Sequence, residues 1–168
     1  IRCTSRDCPE QWKQRLRYFA SRDCMAIDGL GEKLIGQLVD QGLVRDFADL
    51  YALSVDAVAN LDRKGKLSAE KLVRAIDASR NQGLARVLNA ISIRHVGQRT
   101  AIALAKKFQS IDRLMAASDE SIAQTEDVGE IIAESVYAFL HGEDGKEIIE
   151  HLRQAGVRLD EISSDQPS

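Results

Sequence analysis

A glycine returns along this chain at a nearly constant interval. Gly31, Gly65, Gly97 and Gly129 stand 34, 32 and 32 residues apart, and similar neighbours accompany each of them. Four residues earlier come Ile27, Leu61, Ile93 and Thr125, and one residue earlier Leu30, Lys64, Val96 and Val128. Seven residues later come Leu38, Leu72, Leu104 and Val136, with Ala69, Ala101 and Ala133 four residues after the last three glycines. A period of this length marks one supersecondary unit copied several times, each copy burying an apolar face against its neighbours. The unit reads as helix, short glycine-bearing turn, helix.

The rest of the sequence supports an all-α fold. Its two prolines, Pro9 and Pro167, lie at opposite ends, so the residues between them carry no obligatory helix breaker. Apolar residues make up 44% of the chain and charged residues 29%, the balance of a soluble globular protein with one sizeable core or two small ones. No apolar run approaches the roughly 18 to 20 residues that span a bilayer. With no secretory signal in view, a cytoplasmic location is expected, with no membrane partner, and the chain is expected to be a monomer. The chain begins at Ile1 rather than methionine, as expected of a piece of something longer.

Helical periodicity places the elements. Trp12, Leu16 and Phe19 share one stripe of a helix from about Glu10 to Ala20, and Leu34, Ile35 and Leu38 share another that stops at Gly42. Asp46 and Ser54 are N-cap candidates for two short helices, as are Ser110 and Ser118 further on. The helix after Gly65 is expected to turn Leu67, Leu72, Val73 and Ile76 inward, and the one after Gly129 to turn in Ile132, Val136 and Phe139. Leu84 to Ile91 and Thr100 to Phe108 flank the third turn, and a last helix runs from Gly145 to Gln154.

The charge is segregated beneath a net value of −3. Residues 61–107 carry eleven Lys or Arg against Asp62, Glu70 and Asp77, whereas residues 119–168 carry three basic against thirteen acidic side chains. One region is therefore suited to anions and another is not. The turn Ile27-Asp28-Gly29-Leu30-Gly31 suggests how. Both glycines can take positive φ and have no Cβ to hold a ligand away. Amides at the turn and the positive end of the following helix then form a site for a phosphate oxygen. Such a turn touches the nucleic-acid backbone and no base edge, so duplex DNA bound with little sequence preference is the expected partner. The candidate contacts are Gly29, Leu30, Gly31 and Lys33 in the first unit, and Arg63, Lys64, Gly65 and Lys66 in the second. Arg94, His95, Val96, Gly97 and Arg99 follow in the third, and Gly129 in the fourth. Glu126, Asp127 and Glu130 surround Gly129, so the fourth turn is expected to serve mainly as a packing partner.

This is the helix-hairpin-helix pattern, in four motifs. The run Met25-Ala26-Ile27-Asp28-Gly29-Leu30-Gly31-Glu32-Lys33-Leu34, the later Ile93-Arg94-His95-Val96-Gly97 and the leading Cys3 and Cys8-Pro9 resemble the C-terminal half of bacterial NAD-dependent DNA ligase. The resemblance implies residues 1–22 as half of a four-cysteine zinc finger and the following helix, 23–160 as a helix-hairpin-helix DNA-binding domain, and 161–168 as a linker toward a BRCT domain. It implies a parent enzyme that takes AMP from NAD and seals nicks with magnesium in replication and repair. The share of this chain would be to grip the minor-groove side of duplex DNA, preferentially nicked, while remaining inactive alone.

Cys3 and Cys8 have the spacing of one zinc knuckle, but tetrahedral zinc needs four ligands. The resemblance places the other pair upstream, so only a zinc half-site is expected, with NAD and magnesium bound elsewhere in the parent. Cys24, beside the first turn, is read as a packing residue, Trp12 as a core anchor, and His141 and His151 as surface residues. His95 is open between a phosphate donor and a locally bonded polar residue. No catalytic residue is assigned, for the sequence has no nucleotide-accepting lysine motif, phosphate loop or nucleophile elbow. A helix-hairpin-helix module of a nuclease or junction-processing protein, a glycosylase with such a turn and a helical protein-interaction array are the alternatives.

Overall fold

In the computed structural model, residues 9–62 and 65–161 are described, and they fold as ten α-helices with two short 3-10 segments around one continuous apolar core. Cys3, Cys8, Arg63 and Lys64 lie outside the described residues. Four helix pairs carry the glycine turns between them. They are α1 (Pro9–Ala20) with α2 (Glu32–Asp40), α3 (Val55–Asp62) with α4 (Lys66–Ala78), α5 (Leu84–Ala90) with α6 (Gln98–Phe108), and α8 (Asp119–Ala123) with α9 (Gly129–His141). Helix α7 (Ile111–Ala116) joins the third pair to the fourth, and α10 (Glu143–Gln154) folds back over α9.

The stripe on α1 is buried as its spacing required, and the helix packs against α2. Trp12 donates its indole N–H to Val44 O at 2.9 Å, and the Phe19 ring stacks on Phe47 at 4.7 Å. Asp46 caps the 3-10 helix Phe47–Ala52 through a reciprocal pairing with Asp49, while Ser110 and Ser118 accept amides of α7 and α8. Ser54 Oγ likewise accepts the Ala57 amide at the start of α3.

Leu67 departs from the expected inward set. It is 67% exposed, because the buried positions of α4 are Ala69, Leu72 and Ile76, and Leu67 lies off that stripe in the first turn. On α9 the buried set is Ala133, Val136 and Leu140, which leaves Ile132 and Phe139 only partly covered.

Residues 158–161 return across the molecule to distant segments. Arg158 N–H donates to Arg80 O, Ile111 N–H to Leu159 O and Glu161 N–H to Gln109 O, so residues 158–161 run between the 3-10 segment Ser79–Asn81 and the junction of α6 with α7. Ser110 and Asp160 form an isolated antiparallel bridge, and no strand occurs among the described residues.

Candidate nucleic-acid interface

The first, third and fourth turns are fixed by the apolar residue just ahead of the repeating glycine. Leu30, Val96 and Val128 are buried, while Gly29, Gly31, Arg94, His95, Gly97, Asp127 and Gly129 around them are exposed. The Val96 amide donates to Ile93 O at 3.0 Å, and that of Val128 to Thr125 O at 3.1 Å. Leu30 and Val96 therefore serve as anchors. The Val96 amide is engaged within its own turn and does not face outward.

The four turns fall into two kinds. In the first and third, the residue two before the repeating glycine is left-handed, Gly29 at φ 93° and His95 at φ 69°. The residue five before it is left-handed as well, Ala26 at φ 54° and Ser92 at φ 61°. Gly31 and Gly97 themselves are extended, at φ −88° and −108°. In the second and fourth turns the repeating glycine itself takes the left-handed conformation, Gly65 at φ 87° and Gly129 at φ 79°, and in the fourth Asp127, two before it, is left-handed as well at φ 68°. The expectation that both glycines of the first turn use positive φ thus holds for Gly29 alone.

Gly31 and Gly97 have no internal reason to be glycine. Their φ values suit any residue, and a Cβ built on either meets no atom within 4 Å. A tight corner that needed glycine for packing would show a clash there. What the missing Cβ does preserve is open space directly over the start of α2 and of α6.

Helix N-termini leave amides without intrahelical acceptors, and most helices here satisfy or offset them internally. The helices α7 and α8 carry serine caps and acidic first turns, and α9 and α10 carry Glu130, Glu143 and Asp144 in their first turns. The start of α5 is covered by the segment 158–161, with Leu84 N–H donating to Asp160 O and Ala85 N–H to Glu161 Oε1. Among the described residues, α4 and α6 are the two α-helices whose first turn has no side-chain cap, no carboxylate and no acceptor from another segment. Lys66 begins α4, and Gln98 and Arg99 begin α6. The start of α2 is similarly uncapped, but Glu32 occupies its first position, 3.8 Å from the Arg17 guanidinium. Next to it stands exposed Lys33.

Not every cation of the basic middle serves this surface. Arg80 donates Nε to Ala155 O and lies over the Tyr51 ring, pinning the end of the chain to the 3-10 helix. Burial pushes the Tyr51 phenol up to about 12, so it stays neutral there. Arg86 Nη1 donates to Arg22 O and Cys24 O at 2.9 Å each, and Asn89 Nδ2 to Asp23 O at 3.3 Å. Gln82 Nε2 reaches Met25 O at 2.7 Å. These three side chains clamp the lead-in to the first turn against α5, a role that sequence reading missed. The one available signal was Asn89 itself, a polar residue inside the apolar run Val87–Ile91.

His95 is exposed in the third turn, and Arg94 O accepts the Ser135 hydroxyl from α9. The fourth hairpin surrounds Gly129 with Asp119, Glu120, Glu130 and Glu134, a surface hostile to phosphate. His141 is exposed, and His151, half-exposed at the surface, in addition pairs with Asp46 at 2.5 Å. Asp46 raises the pKa of this imidazole above its ordinary value.

No group of three or more His, Cys, Asp or Glu among the described residues is placed to hold a metal ion. Cys24 does not fit zinc. Its side chain is fully buried, its Sγ accepts from Asn89 Nδ2, and burial raises its thiol pKa, all of which favour a protonated packing residue. No helix among the described residues is long and apolar enough to cross a membrane.

Residues 21–78 match the SAM-like helix-hairpin-helix tandem family and residues 86–149 the helix-hairpin-helix motif family, so the matched segments follow the two halves of the array. Almost the whole chain aligns with curated proteins named DNA ligase. Identity is 47% over 163 residues with the protein of Chlorobium phaeobacteroides, covering 97% of this chain and 24% of that relative. It is 44% over 176 residues in Rhodopirellula baltica (96% and 25%) and 40% over 159 residues in Methylacidiphilum infernorum (95% and 23%). Over nearly its whole length the chain is similar to one segment of proteins named DNA ligase. It spans about a quarter of the length of these ligase relatives. In this chain the uncapped starts of α4 and α6 and the open glycines ahead of α2 and α6 lie in the repeating turns of the matched helix-hairpin-helix segments.

Proposed function

We propose that this chain binds duplex DNA through its phosphate backbone, without sequence preference, and that it does so as the clamp of an NAD-dependent DNA ligase acting at nicks. The observation that carries the reading is the pair Gly31 and Gly97, open positions with ordinary backbone angles ahead of uncapped helices. A phosphate oxygen placed there receives amides from the helix start and meets no Cβ, and Lys33, Lys66 or Arg99 supplies the counter-charge. The left-handed turns ahead of each glycine hold the amides in place before any ligand arrives. Binding then needs little reorganisation.

Within the parent enzyme the task is positional. A nick must be held with its two ends in line at a separate catalytic part, which would use NAD to activate the 5′ phosphate and magnesium to assist sealing. This chain's own residues contribute grip and orientation. Zinc is proposed only for Cys3 and Cys8, with two further ligands from outside the chain.

Fluorescence anisotropy with nicked, intact and scrambled duplexes across a salt series tests the reading. Log affinity should fall with log salt by about 0.9 for each phosphate engaged, and intact and scrambled duplexes should bind alike. Tighter binding of the nicked duplex assigns nick preference to this chain. Absence of binding at low salt would overturn the clamp.

A further inference from the structure

The repeat defines an equivalent position in the first turn of each second helix, two residues after the glycine. It is occupied by Lys33, Leu67, Arg99 and Ile131. Two of these are cations, as a phosphate-facing position requires. The other two are the most exposed large aliphatic side chains among the described residues, Leu67 at 67% and Ile131 at 70%. An exposed leucine gains nothing in the free protein, and neither side chain belongs to the apolar core.

Their surroundings differ. Ile131 stands beside Glu130 and Glu134, one turn from Asp127, where phosphate is repelled. Leu67 follows Lys66 on a helix with no carboxylate and no side-chain cap in its first turn, one turn from Lys71. Arg63 and Lys64 precede it in sequence. The register position held by Lys33 and Arg99 in the first and third hairpins is here held by an aliphatic group between Lys66 and Lys71, with Glu70 as the one carboxylate within a turn after it.

We propose that Leu67 contacts the deoxyribose of a bound duplex, so that the second hairpin adds a sugar contact to the phosphate contacts of the array. The inference rests on the duplex-binding reading given above. Beside each phosphate the apolar surface that the DNA backbone offers is the C–H face of its sugars, reached from the minor groove. A leucine packed there removes apolar surface from water on both sides. A ribose would set a 2′-hydroxyl, both donor and acceptor, against an aliphatic side chain that satisfies neither role. Leu67 is thereby a determinant of DNA over RNA that reads no base.

Salt-dependent anisotropy of this chain with a DNA duplex and with a DNA–RNA hybrid separates the contributions. Leu67→Ala is expected to weaken DNA binding by about tenfold, the scale of losing one buried leucine side chain, while leaving the salt slope unchanged. It should also narrow the preference for DNA over the hybrid, and Leu67→Met should restore most of both. Lys33→Ala should instead lower the slope by about one phosphate and weaken both duplexes alike. Ile131→Ala should change neither affinity. Leu67 is exposed, so none of its variants threatens the fold. Unaltered DNA affinity in Leu67→Ala beside a weakened Lys33→Ala would overturn the sugar contact and leave the clamp standing. Failure of the unaltered chain to bind any duplex would overturn both.

Discussion

Arg99 Nε stands 3.6 Å from Asp127 Oδ2, so the third turn, read as a phosphate grip, leans on the acidic turn of the fourth hairpin. Arg99 is 85% exposed, and the pair holds its guanidinium near the start of α6 without burying it. An exposed pair of this kind contributes little to stability. Its carboxylate does, however, compete with phosphate for the same cation. Asp127 is left-handed at φ 68°, a conformation that asparagine tolerates. Asp127→Asn is therefore expected to fold normally and to raise duplex affinity by roughly two- to fivefold at low salt, with the gain fading as salt screens the carboxylate. Titrations of both proteins at two ionic strengths check this, and an unchanged low-salt affinity would remove Asp127 as a competitor.

Gly31→Ala and Gly97→Ala separate binding from folding. Neither backbone angle nor space opposes a methyl group there, so the thermal midpoint should move by no more than about 3 °C in either direction. Duplex affinity should fall at least about tenfold for each, as expected when one charge-assisted backbone contact is lost. Gly145→Ala is the opposite case. A Cβ there would run into the Phe139 carbonyl where α10 turns back on α9, and a loss of about 3 kcal/mol or more is expected in denaturant unfolding.

Asn89 joins the first hairpin to the third. Its Oδ1 accepts the Tyr18 hydroxyl at 2.7 Å, and its Nδ2 donates to Asp23 O, all from a site nearly closed to solvent. Asn89→Ala leaves these partners without their bonds, at a cost of about 2 kcal/mol and a midpoint lowered by roughly 4–8 °C. Differential scanning calorimetry reads the change directly. DNA affinity measured well below the midpoint should be reduced less than in Gly97→Ala, since no ligand-facing group is removed.

The pairing of His151 with Asp46 should make stability depend on pH. Asp46 raises the imidazole pKa above its ordinary 6.5. Stability from the charged pair is therefore fully present below 6.5 and is lost as pH rises through the higher folded-state value. His151→Gln should be destabilised relative to the parent chain near pH 5.5, with the gap closing toward pH 8. A gap that stayed constant across this range would show that the pair contributes no proton-linked stability.

Much of the site was legible in the glycine period, because the backbone of a turn depends on residues a few positions apart. Ile27, Leu30, Ile93, Val96 and Val128 are buried where the repeat placed an apolar residue, and Ser110 and Ser118 cap the helices they precede. Leu67 was misplaced for a physical reason. In the first turn of a helix, one step around the axis separates core from solvent, and an aliphatic residue required by a ligand looks the same in sequence as one required by the core. Charge totals misled in a similar way at Arg80 and Arg86, whose guanidiniums hold backbone carbonyls of distant segments rather than facing outward.

By itself, the sequence determined the helix-turn-helix unit and its repetition, which follow from local spacing and glycine, and local charge separated the basic turns from the acidic one. Tertiary structure alone decided which helix starts stay open. The end of α5 that would have resembled α4 and α6 is covered because residues 160 and 161 return to it from across the molecule. Long-range closure of that kind leaves no periodic trace, since its partners lie some seventy-five residues apart in sequence and meet only after the hairpins have packed.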